Sequence, residues 1–339
     1  MSLIEKLWKR GKTFLGTRYP IMCGGMTWVS TLDLMKAVSK SGGFPVMAGG
    51  NMDPGLFEET VRRCSKELGG PFGVNLITIA PNFKKHLEIV KDSDVPIVIF
   101  AGNFPKKQHV DVVKKSGKKT MSFASTKSIA RQMIGFGIDA LILEGSEAGG
   151  HIGYVSLAIL VQQVLFDVSE VPVFAAGGIA RGGMIAHLLL MGAAGCQLGT
   201  RFAVSAESTA HGDFKKALLR ARARQAMATP QYDSRLPVVA VRAIRNSGMQ
   251  EFGKLQLELL RELDSKEVTR EEAQYRVESF WIGSLRRAVI EGDVVHGSLM
   301  AGQSVGLVDK IQTVDEIMNE LVTDAEKELQ RVKDIYRSV

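Results

Sequence analysis

Short runs rich in β-branched and aromatic residues recur along the chain at a steady interval. They are Tyr19–Cys23, Phe44–Ala48, Phe72–Leu76, Pro96–Phe100, Lys119–Phe123, Ala140–Leu143, Val171–Ala175 and Cys196–Leu198. Between them apolar residues fall at helical spacing, as in Leu32, Met35 and Val38, or Ile129, Met133 and Phe136. Strands that are continuously apolar, rather than alternating, are buried on both faces, the mark of a parallel sheet covered by helices. Eight strand–helix units predict a closed (β/α)8 TIM barrel over residues 19–206. An open, doubly wound sheet would carry GxGxxG after its first strand and an acidic residue about 20 positions on. That fingerprint is missing here.

Past residue 206 the alternation stops. Residues 207–296 are rich in Arg, Lys, Glu and Leu and read as a smaller helical domain, a lid at the barrel mouth, broken at Pro230 and Pro237. Residues 297–339 return to small residues in Gly297–Gly306 and then predict a helix from about Val314 to Arg337. At the other end, residues 1–18 place Leu3, Ile4, Leu7 and Trp8 on one helical face. No apolar core follows the basic residues there, so a docking helix is expected rather than a signal peptide.

Composition narrows the function classes. The 339 residues suffice for one large α/β domain with an appendage. No run approaches the roughly eighteen apolar residues of a membrane span, and a cytoplasmic protein is expected. The net charge of +7 comes with small clusters at Lys106-Lys107, Lys114–Lys119 and Lys215–Arg224. Without interleaved aromatics these read as solvated helix faces with a mild attraction for anions, not as a nucleic-acid surface. Cys23, Cys64 and Cys196 are far apart and lack metal-ligand spacing. A reducing compartment and no metal site are expected.

The chemistry-bearing residues cluster at strand carboxyl ends, where barrels carry their active sites. The sharpest stretch is Glu144-Gly145-Ser146-Glu147-Ala148-Gly149-Gly150-His151, after the sixth run. His151 is a candidate general acid or base, since imidazole titrates near neutrality. Gly177-Gly178 and Gly199-Thr200 close the seventh and eighth runs, the usual place for a phosphate in barrels. Helix N-termini near Ala180 and Ala206 would add favourable dipoles. Arg201 either offsets phosphate charge or forms a structural ion pair. The first three runs end in Gly24-Gly25-Met26, Gly49-Gly50-Asn51 and Asn75. Asn75 and Gln303 carry amides able to read the edge of a heteroaromatic ring. Glu144 could accept bonds from ligand hydroxyls or brace the following loop, and His211 suits a helix cap. One acid–base residue and two phosphate-sized glycine sites indicate an enzyme holding a phosphorylated cofactor. A sugar-phosphate lyase would show Lys or paired carboxylates at these strand ends, and a mere docking module has little use for His151.

These segments, with Thr27-Trp28-Val29, Pro71–Asn75, Glu207–His211, Val241–Asn246 and Met300–Gln303, resemble the FMN-dependent nitronate monooxygenase family, which includes the FabK-type enoyl-acyl-carrier-protein reductases. The likeness runs from about Tyr19 to Leu321. It implies one non-covalent FMN, its ring between Gly25-Met26, Asn75 and Met300–Gln303, and its phosphate on Gly177, Gly178, Gly199 and Thr200. Gly24, Gly149, Gly150 and Glu144 complete the implied cofactor site, and His151 matches the catalytic His. The implied activity is NADH- or NADPH-dependent reduction of an enoyl thioester, possibly carried on acyl carrier protein, in fatty acid synthesis. The alternatives on this framework are oxidation of alkyl nitronates with O2 and NADH:quinone reduction. Analogy suggests a homodimer. Gly43-Phe44-Pro45 departs from the family's usual Gly-Leu-Gly, and Pro45 is expected to mark an edge or bulge in strand two.

Overall fold

All eight apolar runs become strands of one closed barrel. The computed structural model describes residues 2–50, 52–236 and 240–338, so Asn51 and Pro237 lie outside the described residues. The barrel runs β1 (Ile21–Cys23), β2 (Phe44–Ala48), β3 (Gly73–Ile77), β4 (Ile97–Ala101), β5 (Lys119–Ala124), β6 (Ala140–Glu144), β8 (Val173–Ala176) and β9 (Gly195–Leu198). Every pair is parallel, and β9 returns to β1 through Ile21↔Cys196 and Cys23↔Leu198. Four strands begin later than the apolar pattern suggests, and three of them start directly after a proline: Pro20, Pro96 and Pro172. A residue without an N–H marks the point where pairing starts.

Pro45 corrects an expectation. It lies on neither an edge nor a bulge but in the continuous, closed β2, paired with Cys23. The β2–β3 register opens only at Val46↔Gly73. Pro45 therefore precedes that ladder, where its missing donor is not required.

The barrel interior is filled by Met22, Phe44, Ile97, Met121, Ile142 and Phe174, all buried. Two N-terminal helices, Leu3–Leu7 and Lys9–Leu15, close its lower end. Leu15 joins the interior cluster, and the Phe14 ring stands 6.2 Å from that of Phe174. Ile4 and Trp8 are buried, but Leu3 stays exposed, so the docking face is narrower than the expected four residues. The C-terminal helix spans Val314–Arg337 and starts from a Thr313–Glu316 capping box. It packs against the Gly182–Leu190 helix outside the barrel.

The smaller domain is not all helical, as its composition suggested. Helices Ser247–Asp264 and Arg270–Arg286 are capped by Asn246 and by a Thr269–Glu272 capping box. They enclose their own apolar core of Leu236, Phe252, Leu259, Val277 and Trp281. Two short strands accompany them, β10 (Ala226–Ala228) and β11 (Val241–Ile244). These join β7 (Gly150–His151), from the loop after β6, in a three-stranded antiparallel sheet ordered β10-β11-β7. Three or four residues are too few to display a period, and Met227 and Ala228 face solvent, so the pattern could not register them. Among the described residues, no helix is long and apolar enough to cross a membrane, and no His/Cys/Asp/Glu cluster could hold a metal ion.

Candidate active site

The carboxyl ends of the barrel strands, the lid helix Arg270–Arg286 and the Met300–Gly302 segment enclose a cavity of about 380 Å³. Every residue singled out from the sequence as catalytic or cofactor-binding lines it except Gln303. Gln303 begins a 3-10 turn, and its backbone N–H donates to the Glu147 carbonyl at 2.9 Å. That bond ties the turn to the His151 loop, and Ser304, one residue on, faces the cavity instead.

One wall is a cradle of unpaired donors. Gly177 and Gly178 have φ of 97° and 70° in succession, a conformation that L side chains rarely adopt. Their turn and the one after β9 expose the backbone N–H groups of Gly178, Ile179, Gly199 and Thr200, none of which has an acceptor among the described residues. A Cβ on Gly178 would stand 3.2 Å from the Glu147 Cβ. The Thr200 hydroxyl accepts from the Gly302 N–H at 3.0 Å and keeps its own proton to donate. Successive N–H groups converging in this way form an anion-binding concavity. One helix begins at Gly182, close to the expected Ala180; the other begins at Thr200, capped by Gly199, and not near Ala206. Arg201 is not part of the cradle. Its buried guanidinium donates to the Ala180 carbonyl at 2.7 Å and to Gln312 at 2.9 Å, and pairs with Glu320 at 3.0 Å. It is the structural alternative of the two the sequence left open.

Asn75, in the middle of β3, and Glu144, at the end of β6, have side chains with no hydrogen-bond partner among the described residues. Burial pushes the Glu144 carboxyl up to about 8. At neutral pH it is then mostly protonated, an O–H donor as well as an acceptor. Gln197 also lines the cavity from β9 and was missed in the sequence. Its signal was a lone amide in an otherwise apolar strand.

The His151 loop is held from two sides. On one, β7 pairs with β11 through Val241↔His151 and Arg242↔Gly150, and Ile152 N–H donates to the Ala240 carbonyl at 2.9 Å. On the other, Gly149 packs directly on the Met300–Gly302 backbone, where a Cβ would lie 2.5 Å from the Ala301 carbonyl carbon. Buried Arg242 clamps the loop with Nε to the Ser146 carbonyl at 2.9 Å and Nη1 to the Ala226 carbonyl at 2.5 Å. The motif Val241–Asn246 thus builds the sheet that fixes the histidine backbone.

His151 Nε2 is buried without a hydrogen-bond partner among the described residues and lies 3.7 Å from Oε2 of Glu278, on the lid helix. His211 lies outside the cavity and caps the Gly212–Arg220 helix, its Nδ1 accepting from Asp213 N–H at 3.2 Å. The opposite wall is apolar: Ile77, Ile79, Pro81 and Phe104 from the barrel loops, Trp281 and Leu285 from the lid. The lid residues, Glu278 included, carry no local motif, because only tertiary packing brings them to His151.

The unpaired cradle, the glycine-lined floor and the free Asn75 amide fit a planar, phosphorylated cofactor. The nitronate monooxygenase family pattern matches residues 9–83 and 77–324 of this chain. FabK from Thermotoga maritima is similar in structure, with a TM-score of 0.84, 33% identity, and coverage of 96% of this chain and 98% of that one. A nitroalkane oxidase from Streptomyces ansochromogenes superposes with a TM-score of 0.77 at 25% identity, over 95% and 99% of the two chains. The (3aS,4S,5R,7aS)-5-hydroxy-7a-methyl-1-oxo-octahydro-1H-indene-4-carboxyl-CoA dehydrogenase of Mycobacterium tuberculosis is 27% identical over 93% of this chain and 95% of its own. A probable nitronate monooxygenase of Staphylococcus aureus is 26% identical over 73% and 82%. The chain belongs to the nitronate monooxygenase family and is a flavin oxidoreductase.

Proposed function

We propose that this chain is an FMN-dependent reductase of 2,3-unsaturated acyl thioesters that draws its electrons from NADH or NADPH, in the manner of an enoyl-acyl-carrier-protein reductase. The observation that carries this reading is the division of one cavity into two walls. A donor-lined cradle stands on one side, and an apolar face from Ile77 to Phe104 and from Trp281 to Leu285 on the other. An acyl chain suits that apolar face better than a small nitronate does. The thioester in the name of the Mycobacterium tuberculosis relative supports it, as does similarity to FabK over nearly the whole chain.

In this reading the N–H groups of Gly178, Ile179, Gly199 and Thr200 and the Thr200 hydroxyl hold the phosphate. Gly24, Gly25, Met26 and Met300, which line the cavity, would flank the ring, and the Asn75 amide would read its edge. Glu144 would bond the ribityl hydroxyls. When bound, FMN supplies the hydride chemistry. His151 holds the proton that the substrate's α-carbon receives, and the lid excludes water from the cavity. The substrate arrives as a small acyl thioester or on an acyl carrier protein.

Anaerobic stopped-flow mixing of FMN-loaded protein with NADH, then NADPH, tests the reading. Rapid bleaching of the flavin, followed by reoxidation on adding crotonyl thioester, is the expected result. Bleaching by a nitronate but by neither pyridine nucleotide would overturn it in favour of nitronate oxidation. Reoxidation by a quinone but not by the thioester would assign quinone reduction.

A further inference from the structure

We propose that Glu278 of the lid helix is a positioning residue for His151, fixing its proton on Nε2 and leaving Nδ1 to face the substrate. The inference rests on the reading of His151 as the proton-handling group. His151 Nε2 is fully enclosed and has no hydrogen-bond partner among the described residues, yet it lies 3.7 Å from the Glu278 carboxylate. Both residues line the cavity. Glu278 has no other cationic neighbour within 4.0 Å among the described residues. An enclosed ring nitrogen and an unshared carboxylate at this separation are one small rotation from a hydrogen bond, and such bonds are often long before substrate binds. Nδ1 also has no hydrogen bond among the described residues, and unlike Nε2 it is not enclosed.

The consequence is a division of labour between the two nitrogens. A carboxylate at Nε2 favours the tautomer with its proton there, and it stabilises the imidazolium before the proton leaves Nδ1 for the α-carbon. The other charged groups around the loop are already engaged or point elsewhere. Arg242 of β11 turns its guanidinium to the Ser146 and Ala226 carbonyls. Glu147 accepts from Leu157 N–H at 3.0 Å. Glu144 lies at the end of β6, in the barrel wall. Glu278 belongs to the Arg270–Arg286 helix and His151 to the barrel loop, so the pair depends on how these two elements pack.

The test compares wild-type protein with Glu278→Gln and Glu278→Asp. Glu278→Gln keeps shape and removes charge. It should lower kcat by at least about tenfold, with KM and the FMN dissociation constant within about twofold. The kcat–pH profile should change with it, which a loss of packing alone would not cause. Glu278→Asp, which keeps the charge, should restore part of kcat. Nitrogen-15 spectra of histidine-labelled wild-type protein supply a readout without turnover, and neutral His151 should carry its proton on Nε2. A proton on Nδ1, or wild-type kcat and pH profile in Glu278→Gln, would overturn the assignment. Loss of FMN binding in Glu278→Gln would also do so, since it would make Glu278 a cofactor support. If wild-type protein turns over no thioester, the proposed function fails separately, and the tautomer alone decides the pairing.

Discussion

Replacing Glu144 by Gln should stabilise the FMN-free protein progressively as the pH rises. The carboxyl has no partner and is pushed from 4.5 to about 8 by burial alone. The sign follows from linkage. Between those two values the unfolded chain has lost this proton and the folded chain has kept it, so wild-type stability falls as pH rises through the window and levels off above about 8. The interval of about 3.5 pH units, at ~1.36 kcal/mol per unit, sets an upper bound of roughly 5 kcal/mol. Glu144 faces a cavity that water can enter, which lowers the cost of ionisation, so about 2 kcal/mol is the expected effect. Glutamine occupies the same volume and does not titrate. Thermal unfolding of both proteins from pH 5 to pH 9 should show apparent Tm values diverging by about 4 °C toward alkaline pH, at ~2–4 °C per kcal/mol for chains somewhat shorter than this one. Parallel curves across the range would show that the carboxyl is as well solvated folded as unfolded, and the reasoning from burial would be wrong. Bound FMN should reduce the divergence if its hydroxyls donate to the ionised carboxylate, since that brings the carboxyl back toward its unfolded value.

Three further outcomes follow from the site. His151→Ala should leave FMN bound and cut turnover by about a hundredfold or more, the scale of a lost general acid–base; an unchanged rate in steady-state assays would remove His151 from the mechanism. Gly178→Val places a branched side chain at φ 70° with its Cβ about 3.2 Å from Glu147, and should abolish FMN retention on gel filtration. Wild-type affinity in that variant would place the phosphate elsewhere. Arg201→Met leaves Glu320 and the Ala180 carbonyl without their buried partner. It should cost about 3 kcal/mol in urea unfolding, and a loss under about 0.5 kcal/mol would contradict the structural role.

Much of this protein was legible in its residues. Continuous apolar strands separated by amphipathic helices can be satisfied only by a parallel sheet covered on both faces, and eight of them close without an edge. Glycines and amides at strand ends needed no tertiary information to stand out, because a backbone that must adopt positive φ or meet a ligand closely leaves few alternatives to glycine. Those local constraints single out His151, Asn75, Glu144 and the Gly177-Gly178 and Gly199-Thr200 turns from the sequence alone. What lay beyond them depended on contacts distant in sequence. The β10-β11-β7 sheet is too short to carry a period, yet it fixes the histidine backbone by pairing Val241 with His151. Arg201 had two readings from sequence, and only the positions of Ala180, Gln312 and Glu320 chose between them. Gln303 carries an amide of the same type as Asn75, but only the folded chain shows that it does not line the cavity and that its backbone N–H bonds Glu147. Glu278 is one acidic residue among several on an exposed-looking helix, and nothing local distinguishes it from its neighbours. Local conformation and periodicity are written within a few residues of one another. The meeting of Glu278 with His151 depends on how a lid packs across a barrel mouth, which only the folded chain decides.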